Sequence, residues 1–338
     1  MIRCGSQCII CDLPIRYDTY TGCSHDCKYC FARKEYELDD IKPSNSLKAL
    51  QNFIAGKRNQ DMAWCDWNIP LHIGGMSDPF QPCEKKHRAT MEMLKIMEAA
   101  QYPFVISTKG RLVADDEYID ILSRCNCVVQ ISAACDKYDR IEQGAPTFQE
   151  RLEMISKLST QVQRVIVRCQ PYMHEVFKDV YSNLEKFKAA GAYGVIVEGL
   201  KMAKKKPGLV KVGGDWCYPY SIILQDFLKL KEKAHALGLK IYAGENRIRK
   251  YGDSFTRCGI DGLEGFKGNS YNLCHILNGD SVEPTEAQKI AGSGACFTAV
   301  NQETAKNRRV RQMSFADAMT DHYKGREKNI NTMLGLTH

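Results

Sequence analysis

The chain has 338 residues, of which 44% are hydrophobic and 26% charged; these are ordinary globular values and exclude disordered, fibrous and low-complexity classes. A net charge of +7 suits a phosphate-bearing partner, but a pI near 8.6 sits below the range of dedicated nucleic-acid-binding domains, so a small phosphorylated ligand is favoured over a polynucleotide, with a merely solvated basic surface as the alternative. No secretory segment and no run of about 18 apolar residues occurs, so the expectation is a cytoplasmic protein with no membrane partner, whose 16 cysteines serve as reduced thiols and metal ligands rather than disulfides.

Taken in chain order, residues 1–14 form a cysteine-rich N-terminal extension in which Cys4, Cys8 and Cys11 follow the pattern Cys-x3-Cys-x2-Cys. The same pattern returns at Cys23, Cys27 and Cys30, immediately after the strand-like "IRYDTY" of 15–20. Further short apolar runs read as buried strands at 69–75, 102–108, 127–133, 164–170, 193–199 and 239–244. Helical patterns lie between them at 85–100, 146–159, 176–190 and 220–237. The third carries Val176, Val180, Leu184 and Phe187 on one face and stops at Gly191, which makes that stripe core. Strands alternating with helices predict an α/β fold, a partial (β/α)6 barrel over 15–244, with chemistry at the strand C-terminal ends. From 245 the alternation ceases, and 245–338 reads as a Gly-rich loop region followed by a polar helical tail, together a C-terminal cap over one end of the barrel.

A [4Fe–4S] cluster normally takes four thiolates; three leave one iron open to another ligand. A zinc knuckle is the alternative for Cys23, Cys27 and Cys30, but structural zinc almost always takes four protein ligands. The stretch "YTGCSHDCKYCFAR", with Tyr29 just before its third cysteine, resembles the signature of the radical S-adenosylmethionine superfamily. Cys4, Cys8 and Cys11 lack both a preceding strand and that aromatic, having Ile10 instead, and read as free, structural or metal-binding thiols.

The segments "HIGGMSDPFQPCEK", "ISTKG", "VQISAA" and "IEQGAPTFQERLEMI" make the chain similar, over about 11–200, to the spore photoproduct lyase branch, also described as DNA-repair photolyase-like. That resemblance implies a [4Fe–4S] cluster on Cys23, Cys27 and Cys30 and S-adenosyl-L-methionine on its open iron. It places Ser77 and the backbone of Gly74, Gly75 and Met76 on the methionine part, Lys109 on the carboxylate and Ser132 as a further contact, with Tyr29 beside the cluster. Arg168 and Glu198 end strands and face the same pocket or serve the fold. An electron donor such as a flavodoxin or ferredoxin is implied as partner.

The chain departs from the photoproduct lyases at Gly75, where that family carries its hydrogen-donating cysteine. Cys83, Cys135 and Cys169 are alternative donors, each more often a small buried hydrophobe. The run "KMAKKKPGLVK" is the nearest approach to a basic DNA-opening hairpin. The chain also resembles the queuine-releasing lyases of base salvage, which implies a modified nucleoside or nucleotide substrate, with release of queuine from queuosine or its 5′-phosphate by ribose hydrogen abstraction. Lys201, Lys204 to Lys206, Arg247 and Arg249 are candidate phosphate partners. A DNA-lesion lyase is the main alternative, and a non-catalytic iron–sulfur sensor using both cysteine triplets is a third.

Overall fold

The computed structural model describes residues 2–5, 8–32, 39–65, 69–300 and 308–337, without the side chains of 298–300. Its central sheet holds eight strands: β1 (Ile2–Cys4), β2 (Ile15–Tyr17), β3 (Leu71–Ile73), β4 (Phe104–Thr108), β5 (Cys127–Ser132), β6 (Val165–Tyr172), β7 (Gly194–Gly199) and, beyond a small second sheet, β11 (Lys240–Ala243). Their order is β1-β2-β3-β4-β5-β6-β7-β11, and every pairing from β2 onward is parallel. The sheet does not close, because β1 and β11 are its two edges. This is the expected open barrel: six β-helix-β crossovers link seven parallel strands. The antiparallel β1 lay outside the sequence expectation, which read residues 1–14 as a cysteine-rich extension.

The principal crossover helices are α1 (Leu47–Ile54), α2 (Glu84–His87) with α3 (Ala89–Ala100), α4 (Asp116–Arg124), α5 (Phe148–Ser159), α6 (Phe177–Ala189) and α7 (Tyr220–Ala236). The single helix expected over 85–100 is broken at Arg88, whose backbone is left-handed with φ of 54°. Helix α5 begins at a capping box in which Thr147 and Glu150 satisfy each other's backbone amides. Among the described residues, no helix is long and apolar enough to cross a membrane.

Alternation along the strands sorts the barrel into two faces. Ile106, Val129, Ile131, Val167, Cys169, Val195 and Val197 join the large core beneath the helices. The opposite residues, Val105, Val128, Ile166, Ile196 and Tyr242, form a separate apolar layer with Leu13 and Ile260. That second layer is the floor of the barrel interior. It is sealed from below by the segment around 258–266, held where Arg164, just before β6, donates to the carbonyls of Gly259 (2.7 Å) and Asp261 (2.9 Å). Two residues higher on the same inner face the chain becomes polar, with Ser107, Gln130, Arg168 and Glu198 one per strand. A packed floor and a polar upper layer direct the interior toward the strand C-terminal ends.

After β7, the lysine-rich run folds as a second, three-stranded antiparallel sheet: β8 (Lys201–Met202), β9 (Val210–Val212) and β10 (Asp215–Cys217), ordered β8-β10-β9. In the helical tail, Trp64 stacks on Phe315 at 4.2 Å, and Arg247 and Gly335 meet so closely that any Cβ at Gly335 would overlap the Arg247 backbone. Residues 301–307 of the expected tail lie outside the described residues.

Candidate active site

Cys23, Cys27 and Cys30 lie on the loop that leaves β2, partly buried and free of disulfides. The loop has little regular structure of its own, so its shape is set by tertiary bonds. Gln81 holds it at two points, accepting from the Ser24 amide (2.9 Å) and donating to the Gly22 carbonyl (2.9 Å). The His25 ring bonds the Gly144 carbonyl through Nδ1 (2.9 Å) and faces Asp78 through Nε2 (3.1 Å). The Gly144 amide returns a bond to the His25 carbonyl, and the Lys28 amide donates to Ile141. Gly144 lies so close that a Cβ there would overlap the Ser24 carbonyl oxygen. Burial pushes the Cys23 thiol up to about 12, with Asp78 adding to it, so a metal must displace protons to bind.

Asp78 ties this loop to the next strand end. It accepts from the Lys109 amide (2.6 Å), the Thr108 hydroxyl (2.6 Å) and the Phe80 amide (2.9 Å). Burial alone would raise its carboxyl, but His25 and these donors hold it at about 2. Glu142, between β5 and α5, is a second node. It pairs with Arg151 at 2.5 Å, faces Lys109 Nζ at 3.8 Å and accepts from the Tyr29 hydroxyl. Lys109 Nζ also sits 5.7 Å from the centre of the Tyr29 ring. Burial opposes the charge on Glu142, yet Lys109 and Arg151 keep its carboxyl below the ordinary range.

Most of the residues expected at the cofactor site gather around these nodes. Gly74 has φ of +82°, and a Cβ there would overlap the Ser107 carbonyl oxygen, so only glycine fits. The Met76 amide donates to Asp18 (2.9 Å) and Ser77 donates its hydroxyl to the Tyr20 carbonyl (2.8 Å). Ser77 is buried at the foot of the cysteine loop. Ser132 ends β5, its carbonyl bonded by Arg151 (3.0 Å). Gly75 lies against the Arg16 side chain, where a Cβ would stand 3.2 Å from Arg16 Cδ.

Arg168 and Glu198 belong to the polar interior layer rather than to the cysteine loop. Arg168 donates to Ser107 (2.9 Å) and Gln130 (2.9 Å), bonds Gln170, and stands 4.0 Å from Glu198. Glu198 pairs with Lys201 at 2.7 Å. His72 joins through Ser107 at 3.0 Å, and burial together with Arg168 and Arg16 holds its ring well below the usual imidazole range, hence neutral. Arg16 and Arg257 both act electrostatically on Arg168 here, which adds positive charge to the layer.

Arg249 and Arg247 are committed elsewhere. Arg249 bonds Asp12 and the carbonyls of Ile10 (3.0 Å) and Phe255 (2.6 Å), tying the segment after β11 to the N-terminal extension, and Arg247 pairs with Glu245 (2.9 Å) just beyond the end of β11. Cys169 and Cys135 lie in the helix-side core, where Cys169 Sγ meets the Ala133 carbonyl (3.4 Å), outside the barrel interior. The thiols that do pack against the interior layer are Cys11 and Cys258. Sequence reasoning missed Arg16, His25, Asp78, Glu142 and Cys258; Asp78 and Glu142 sit inside motifs it singled out, whereas Arg16 and Cys258 carry no local signal.

The donor set fits an iron–sulfur cluster: three thiols free of disulfides on one pinned loop that also carries Tyr29, with Ser77, Lys109 and Ser132 at or just beyond neighbouring strand ends. No protein-family model matches the chain. Among curated proteins it is 27% identical over 206 residues to the uncharacterized proteins Rv2578c of Mycobacterium tuberculosis and Mb2609c of Mycobacterium bovis, a match covering 56% of this chain and 60% of theirs. The chain thus matches less than two thirds of the length of these relatives. Among solved structures it is similar to a cysteine-to-serine mutant of spore photoproduct lyase, with a TM-score of 0.56 and 14% identity over 68% of this chain and 77% of that one. It is likewise similar to spore photoproduct lyase complexed with dinucleoside spore photoproduct, with a TM-score of 0.55, 14% identity and the same coverage. The chain therefore has the α/β partial-barrel fold of spore photoproduct lyase, with its cysteine loop at the strand C-terminal ends.

Proposed function

We propose that the protein is a radical S-adenosyl-L-methionine lyase acting on a modified nucleotide, and that its substrate is queuosine or queuosine 5′-phosphate, from which it releases queuine. The observation that carries the class is the unpaired trio Cys23, Cys27 and Cys30 on a loop fixed by Gln81, His25 and Gly144 at the strand ends of this barrel. A [4Fe–4S] cluster on the trio with S-adenosyl-L-methionine on its open iron would supply a carbon-centred 5′-deoxyadenosyl radical when reduced by a small electron carrier of the flavodoxin or ferredoxin kind.

The chain's own residues position and exclude. Lys109 Nζ, steered by Glu142 and the Tyr29 face, would bind the cofactor carboxylate, the backbone of Gly74 to Met76 would meet its amino group, and Ser77 would contact its methionine part. Ser132 lies on the adjoining strand end. The apolar floor and the 258–266 segment keep water from rising through the barrel. Arg16 and Arg168 supply guanidinium donors for a phosphate within the interior, and their forked geometry suits phosphate oxygens. Gly75 offers no thiol, so this site returns no hydrogen to a substrate radical from that position, in keeping with a fragmentation that ends in base release.

A second reading, a lyase acting on a DNA lesion, is favoured by two observations. One is the fold shared with spore photoproduct lyase. The other is the β8-β10-β9 sheet, which carries exposed Lys204, Lys205 and Lys206 beside Trp216, with Lys205 Nζ 5.6 Å from that ring. Such a basic, aromatic-bearing hairpin suits a duplex.

The test is anaerobic incubation of the reduced, reconstituted protein and S-adenosyl-L-methionine with queuosine 5′-phosphate, and separately with dinucleoside spore photoproduct. Base release above a Cys27→Ala control supports the first reading. Turnover of the photoproduct without base release replaces it with the second.

A further inference from the structure

Outside the cysteine loop, Cys4 of β1, Cys8 in the turn after it and Cys296 at the start of the helix Ala295–Val300 bring their sulfur atoms within 4.8 Å of one another, all buried. Cys4 and Cys296 are joined as a disulfide with Cα atoms 6.3 Å apart, and Cys8 stands against it as a third thiol. A disulfide needs two sulfurs and leaves the third without a purpose. A metal ion uses all three.

The scale of the cluster fits one ion. Thiolates around a tetrahedral zinc, with Zn–S near 2.3 Å, stand about 3.8 Å apart, whereas thiolates on separate irons of a cubane stand farther apart. The sequence spacing agrees, because a Cys-x3-Cys pair joined by a distant cysteine is a common structural zinc arrangement. The surroundings agree as well: Ile2, Ile10, Trp64, Phe297 and Phe315 lie in the same buried core, a dry shell that favours soft thiolate ligation. The turn Gln60–Met62, which leads into the buried Cys65, packs against both β1 and the helix carrying Cys296, so Cys65 is a fourth thiol of that neighbourhood.

We propose that in the reduced protein Cys4, Cys8 and Cys296, with Cys65 drawn in as the fourth thiolate, ligate a single zinc ion that clasps the edge strand β1 to the C-terminal helices. The expectation of a triplet Cys4, Cys8 and Cys11 is thereby altered in one member. Cys11 lies instead beside Cys258 at the barrel floor.

The experiment uses the full chain carrying Cys23→Ala, Cys27→Ala and Cys30→Ala, so that the cluster loop binds no iron and its failure or success is read separately. The reduced protein is titrated anaerobically with cobalt(II) and back-titrated with zinc(II). One equivalent of cobalt should give a thiolate-to-cobalt charge-transfer band with tetrahedral d–d intensity, displaced by one equivalent of zinc. Affinity should fall at least tenfold in Cys8→Ser and the band should vanish in Cys8→Ser/Cys296→Ser, while Cys83→Ser leaves it unchanged. Elemental analysis of the unsubstituted chain, purified anaerobically, should find one zinc, which guards against a variant that merely fails to fold. The proposal is overturned if no band forms, if the band survives loss of Cys8 and Cys296, if an iron–sulfur chromophore takes the site, or if peptide mapping finds the Cys4–Cys296 disulfide intact after reduction with no zinc bound.

Discussion

Glu142→Gln puts the architecture of the site to a direct test. Glu142 and Arg151 are each only 2% exposed, and the carboxylate is shared among Arg151 at 2.5 Å, Lys109 at 3.8 Å and the Tyr29 hydroxyl. An amide has one oxygen, so whichever way it is turned its NH2 group faces a donor. Arg151 retains the Pro146 and Ser132 carbonyls but loses its counter-charge. Removing one partner of a buried ion pair costs about 3–5 kcal/mol. With an unfolding entropy of about 2.1 cal/mol/K per residue over the whole chain, that corresponds to a fall in Tm of about 4–7 °C. Lys109 should also lose its steering, so S-adenosyl-L-methionine affinity should drop about tenfold. Differential scanning calorimetry and equilibrium dialysis read both. A Tm within 1 °C of the parent, with unchanged cofactor affinity, would refute the assignment of Glu142 as the node between β5, α5 and the cysteine loop.

Gly144→Ala should cost about 1–3 kcal/mol and lower iron retention after gel filtration, because its methyl group meets the Ser24 backbone within the cysteine loop; unchanged iron content would contradict that contact. Arg168→Met should raise the KM for a phosphate-bearing substrate by about 10- to 150-fold, the worth of a charged hydrogen bond of about 1.5–3 kcal/mol, while uncoupled S-adenosyl-L-methionine cleavage without substrate stays near the parent value. Binding of the substrate should vary little between low and physiological salt if it is a mononucleotide, and a steep decline as measured by titration would indicate many phosphate contacts and the DNA reading.

The strands and crossover helices were legible because buried parallel strands and amphipathic helices write their periods over many residues. The stretch "YGVIVEG" shows this for β7, and Val180, Leu184 and Phe187 show it for α6. Edges failed where context or local conformation decided: β1 lies among the closely spaced cysteines rather than in an apolar run, and Arg88 splits α2 from α3 by a single left-handed residue. The cysteine loop was legible as spacing, but its supports were not. His25, Asp78 and Glu142 act across separations of 53 to 119 residues, which no local pattern encodes. Likewise Arg247 and Arg249 looked like free cations in sequence and are buried structural pairs: Arg247 pairs with Glu245 only two residues away, whereas the acceptors of Arg249, the Asp12 carboxylate and the Ile10 carbonyl, come to it only through the fold.

The most direct test of the central claim is 5′-deoxyadenosine formation by anaerobically reconstituted, dithionite-reduced protein given S-adenosyl-L-methionine, measured together with iron content. The account predicts about four irons per chain and reductive cleavage, both abolished when Cys23, Cys27 and Cys30 are replaced by alanine. Undiminished cleavage in that triple variant would contradict it.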